Sequence, residues 1–183
     1  MSRIAGVPSV VSMTFSHSPT QTDRSLRRRL GLPLTWLIGL ALLALPRVVL
    51  HDLGAIEEGT TLNALFVLVP PLVWVAVVLW KRVPNAFLTL LVVGVCYGAL
   101  LALGHQLMWD ATFGGEQPRL GGNLAGTDPE AQSLILRTFA VGSSLVTGTL
   151  VGAIAGAVAW VLGALTGRSP GGRGNADESR RRS

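Results

Sequence analysis

The stretch LILRTFAVGSSLVTGTLVGAIAGAVAWVLGAL, Leu134 to Leu165, decides the fold. Within it Ala140, Ser144, Gly148, Gly152 and Gly156 recur at every fourth position, and a second ribbon of Ala155, Ala159, Gly163 and Gly167 follows at the same spacing. Small residues four apart leave a shallow groove on a helix, into which a neighbouring backbone can settle and gain dispersion contacts. In water each of those glycines costs a helix ~1 kcal/mol against alanine. In lipid the backbone has no water to turn to, so the helix persists and glycine becomes a packing device, a glycine zipper. The expected fold is all-α: a polytopic integral membrane protein whose four-transmembrane-helix bundle is built around this segment.

Composition supports that solvent. Only 14% of the 183 residues are charged, mean hydropathy is +0.50 and 49% of residues are hydrophobic. Soluble domains carry roughly 25% charged residues. Working outward, the spans fall at about 30–50, 62–80, 85–107 and 134–165, within a transmembrane domain of 30–166. Residues 1–29 and 167–183 lack any apolar period and are expected to be disordered basic tails.

The basic flank and the Ala41–Pro46 ending of the first span resemble the layout of a cleaved signal peptide. Val48, Val49 and Leu50 extend the apolar run past Pro46, and Arg47 suits a cleavage site poorly, so a retained span is expected. Pro70-Pro71 predicts a kink in the second span, since neither nitrogen can donate. Pro84 suits a first helical turn for the third. The loop from Asp110 to Asp128 is rich in glycine and reads as irregular. Thr127-Asp128-Pro129-Glu130 reads as a helix start, with Asp128 capping, so the fourth helix begins ahead of its apolar part.

Arginine placement orients the bundle. Twelve of the fifteen basic residues fall in the two tails and at Lys81-Arg82, whereas seven of ten acids fall in the loops on the other side. Both termini are therefore expected in the cytoplasm, with the chain multi-pass in the plasma membrane. Trp80, Trp160 and Trp109 fit aromatic belts at the two boundaries. The terminal arginines meet anionic headgroups, so the bilayer is the expected partner and nucleic acid is not.

Counting residues from the span ends places His51 and His105 at one height near the outer boundary, among Arg47, Asp52, Gln106, Asp110 and Arg137. Ionisable residues near a bilayer are expensive and mark candidate sites. The first reading is a rim of ion pairs, with Arg47 and Arg137 as its cations, that fixes helix positions. The second is a divalent metal held by His51, Asp52, His105 and Asp110, residue types that suit such an ion. A haem between the two histidines is disfavoured because neither lies deep. His17 sits in the tail, and Cys96, the single cysteine, lies in an apolar run where neither a disulfide nor a reactive thiol is expected.

No phosphate loop follows a strand, no Gly-x-Ser-x-Gly elbow occurs, and no nucleophile pairs with a base, so an enzyme is not expected. No inverted repeat or continuous polar lining marks a self-sufficient transporter. The function that follows is a small subunit or scaffold that packs through Ser144, Gly148, Gly152 and Gly156, alone, as a homo-oligomer or in a larger membrane complex. The alternative is a metal-handling or transport component using the rim.

Overall fold

The computed structural model describes residues 27–57, 59–114, 116 and 118–167. Among them the chain is helical with no strand, and four helical stretches are long and apolar enough to cross a membrane. Apart from Gly167, which closes the last helix, the tails fall outside the described residues, except that Arg27, Arg28 and Arg29 form a helical turn rather than disordered chain, closed by Gly31 N–H donating to Arg27 O at 2.9 Å.

The first span is two helices, α1 (Leu34–Leu42) and α2 (Leu45–Asp52), not the single stretch 30–50. The break follows from Pro46, which has no N–H and whose ring would clash with the carbonyl one turn back at Leu42. The helix stops at a Leu43-Ala44 turn and restarts with Pro46 in its first turn, where the missing donor does no harm. Across the break, the Trp74 indole N–H donates to Leu40 O at 2.7 Å.

α3 (Thr61–Trp80) starts on a Thr60 hydroxyl that accepts from Asn63 N–H at 3.2 Å, and it runs on through Pro70 and Pro71 without interruption. α4 (Ala86–Leu107) starts on Asn85, whose side chain accepts from Leu88 N–H at 3.0 Å. Pro84 therefore stands ahead of the cap, not inside the first turn. It packs on Gly31, where a Cβ would lie 2.5 Å from its Cδ. The Thr89 hydroxyl, fully buried, lies 2.8 Å from Leu30 O and 2.7 Å from Asn85 O, tying the chain before α1 to the start of α4.

The loop region is less irregular than its glycines suggest. It holds α5 (Trp109–Phe113) and a single tight turn at Gly122–Leu124. α6 (Pro129–Leu165) then runs 37 residues from an Asp128 cap, whose carboxylate accepts from Glu130 N–H at 3.0 Å and Ala131 N–H at 3.3 Å.

α4 is the central helix: it touches α1, α2 and α3 and packs along its length on α6. Trp74, Leu37, Leu90, Val78, Val93 and Thr89 are the largest side chains fully enclosed. Trp74 meets Tyr97 edge-on with ring centroids 6.0 Å apart, a geometry that aromatic quadrupoles favour.

The α4–α6 seam is backbone against backbone. A Cβ at Gly152 would lie 2.6 Å from Leu90 O, and one at Gly98 would lie 2.9 Å from Ser144 O. Gly148 sits directly on the Gly98 and Gly94 backbones, and a Cβ at Gly156 would be 2.9 Å from Phe87 O. The register is antiparallel, and the glycine ribbon is occupied by the chain's own third span. The Ser144 hydroxyl turns back to Ala140 O at 2.7 Å, so this seam carries no interhelical hydrogen bond from it. The second ribbon divides. Ala155 and Ala159 are buried, whereas Gly163 has open space around it. Gly167 takes φ +69°, and its N–H donates to Ala164 O at 3.2 Å, so it ends the helix instead of packing it.

Candidate functional site

The polar side chains of the bundle gather at the end where α2 and α4 finish and α3 starts. α2 brings Arg47, His51 and Asp52; α4 brings His105 and Gln106; α3 brings Asn63; α6 brings Arg137.

Asp52 is the centre. Its side chain is 4% exposed, and its carboxylate accepts from His105 Nδ1 at 2.8 Å, with His51 Nδ1 at 3.6 Å from its other oxygen. The bond fixes the proton of a neutral His105 on Nδ1 and locks the end of α2 to the end of α4. Arg47 turns the other way: Nε donates to Asn63 Oδ1 at 3.0 Å. It thus joins α2 to α3. Asn63 does not emerge from the sequence as a partner because it faces Arg47 only once the helix order is known.

Arg137 meets α4 through a reciprocal pair. Its Nη1 donates to Gln106 Oε1 at 3.2 Å, and Gln106 Nε2 donates back to Arg137 O at 3.2 Å. The guanidinium also lies 4.7 Å from the Trp109 ring centroid. Asp110 is 3.9 Å from Arg137 Nη2, but its side chain is 85% exposed, so water screens that pair. Trp109 belongs to this packed layer: it is buried, packs on Phe113 with ring centroids 4.9 Å apart and planes tilted by 59°, and its indole N–H finds no acceptor among the described residues.

Gln132, which nothing in the sequence singled out, fastens the glycine-rich loop to α6. Its Oε1 accepts from Leu120 N–H at 2.8 Å and its Nε2 donates to Thr127 O at 2.7 Å.

The structure thus brings Asp52, His51 and His105 together and leaves Asp110 apart beside Arg137. Among the described residues no group of three His, Cys, Asp or Glu side chains is arranged to hold a metal ion. An Asp–His pair is also half of a hydrolytic relay, yet no Ser, Thr or Cys side chain among the described residues hydrogen-bonds to His105. What the arrangement does chemically is join helix ends by hydrogen bonds under partial cover from water.

Its contribution to stability is testable. Asp52→Ala leaves the His105 donor without an acceptor in a partly dry layer and should cost about 1–2 kcal/mol. The ring is a third exposed, so water recovers part of the loss. Asp52→Asn keeps an acceptor and should cost less. Detergent-denaturation midpoints for the two variants check the order.

No family model matches the chain, and neither the curated proteins nor the solved structures contain a significant match to it.

Proposed function

We propose that the chain is a non-enzymatic multi-pass protein of the plasma membrane, with both termini cytoplasmic, acting as a small structural subunit or scaffold. The observation that carries the membrane reading is the outer surface of the helices. Leu68, Leu72, Leu103, Leu150 and Ile154 are all more than half exposed, at 59%, 65%, 53%, 56% and 64%. Soluble monomers seldom leave contiguous apolar patches beyond a few hundred Å² facing water, whereas acyl chains solvate such a surface at no cost.

The scaffold reading rests on how the polar groups are spent. His105, Gln106, Arg137, Gln132 and Asn63 bind other parts of the same chain. The fourth helix serves as an internal spine, since its glycine face is covered by α4. A cation at His51, Asp52, His105 and Asp110 remains the alternative, and the described residues supply no three-ligand group in its favour.

The test combines topology with composition. Alkaline carbonate should leave the chain in the membrane pellet. With Cys96 replaced by Ala, a cysteine at Gly121 should react with an impermeant maleimide on intact cells, and one at Gly171 should react only after lysis. Gently solubilised protein should be colourless, free of stoichiometric metal, and larger than one chain on native mass spectrometry. A lone metal-loaded chain would sink the scaffold reading and favour the alternative.

A further inference from the structure

At the end of the bundle opposite the polar rim, the Lys81 ammonium lies 5.0 Å from the Trp36 ring centroid and 4.6 Å from that of Trp80. Two indoles from α1 and α3 thus hold one cation in place. Lys81 and Arg82 form a tight turn closed by Lys81 N–H to Val77 O at 2.9 Å and Val83 N–H to Val78 O at 3.1 Å. Arg82 adopts φ 51°, a left-handed conformation that a residue with a long side chain seldom takes. The charges therefore project from a fixed turn. The exposed Arg27-Arg28-Arg29 turn joins the same end, since Leu30 is bonded to Thr89 and Gly31 packs on Pro84. No acid occurs among the described residues of this end, 27–40, 76–90 and 156–167.

Beside the clamped cation runs an open groove of about 320 Å³, lined by Thr35, Trp36, Gly39 and Leu40. These residues follow one face of α1 along its axis, away from the basic turn. A Cβ on Gly39 would meet nothing within 4 Å, so the groove is open there.

We propose that this end binds an anionic phospholipid, its phosphate on Lys81 and the neighbouring arginines and one acyl chain in the Trp36–Gly39 groove. The proposal rests on the bundle spanning a bilayer. A cluster of cations at the helix ends with an apolar trough leading from it along the helix is the head-to-tail layout of a lipid. A free anion would leave the trough unused. A zwitterionic lipid brings its own ammonium into a cluster already rich in positive charge and without acids among the described residues, so net negative lipids are selected. Indoles also settle at headgroup depth, where Trp36 and Trp80, 41% and 74% exposed, would flank the phosphate.

The experiment presents detergent-purified full-length chain with equal amounts of phosphatidylglycerol and phosphatidylcholine and counts retained lipids by native mass spectrometry. Wild type should keep phosphatidylglycerol preferentially. Lys81→Ala should lower that preference about fivefold. Arg119→Ala, a charge removed from the opposite end, should leave it unchanged. Gly39→Leu should displace the bound lipid with an unchanged melting temperature, because the new side chain enters open space. Equal retention of the two lipids by wild type, or equal effects of Lys81→Ala and Arg119→Ala, overturns the site while a carbonate-resistant chain preserves the membrane reading. A chain that carbonate strips from the membrane overturns both.

Discussion

Gly148→Ala should lower the stability of the bundle by about 3 kcal/mol, at the upper end of what overpacking usually costs. One methyl group is added, but it is added where the Gly98 and Gly94 backbones already sit. A flexible side chain could swing aside; a helix backbone has to move as a whole. Relief requires α4 and α6 to part along their shared length, which forfeits contacts from Phe87 to Gly98 on one side and from Ser144 to Gly156 on the other. Gly142→Ala and Gly163→Ala lie on the same helix with nothing within 4 Å of the new atom. They should be neutral or mildly stabilising, since alanine is the better helix former. Titration with sodium dodecyl sulfate, followed by tryptophan fluorescence, separates the two outcomes. Equal midpoints for Gly148→Ala and Gly142→Ala would show that the seam is not close-packed.

Trp74→Ala should cost more, about 3–5 kcal/mol. The indole is fully enclosed, so its removal opens a cavity between α1, α3 and α4. It also takes away the donor to Leu40 O beside the helix break. Leu43 N–H still reaches that carbonyl at 3.2 Å, through the tighter three-residue spacing, and one of the two bonds to it is lost. Trp74→Phe separates these contributions. It keeps much of the volume and the edge-on contact with Tyr97 but not the N–H, and should cost about 1–2 kcal/mol. If both variants melt together, the hydrogen bond dominates and the volume counts for little.

The four long apolar stretches were legible because hydropathy is summed over some twenty residues, and single substitutions barely alter such a sum. The cap at Asp128 was legible because Asp followed by Pro and Glu satisfies three local preferences at once. The break in the first span was less visible: Leu-Leu-Ala-Leu before Pro46 is as apolar as what surrounds it, and only the proline's clash one turn back marks the stop. The partner of the glycine ribbon could have been found. Leu90, Gly94, Gly98 and Ala102 are also four apart, and all four are buried. Two small-residue stripes in one short chain are complementary before any question of an outside partner arises.

For the candidate site, counting from span ends brings Arg47, His51, Asp52, His105, Gln106 and Arg137 to one end of the bundle, because helical rise is constant. Who pairs with whom depends on the angular order of the helices, which no local spacing encodes. That is why residue type and height alone group Asp110 with the histidines, whereas it stands with Arg137 in the structure. It is also why Asn63 does not stand out in the sequence as the partner of Arg47.

The seam between α4 and α6 has one further consequence. Glycine brings no rotamers to freeze, so this close approach forms with almost no side-chain entropy to surrender. The same lack of movable atoms leaves nothing at the seam to cushion a displacement. A push on the loop-bearing end of α6 would travel down the helix as from one end of a strut, and α4 would be carried with it.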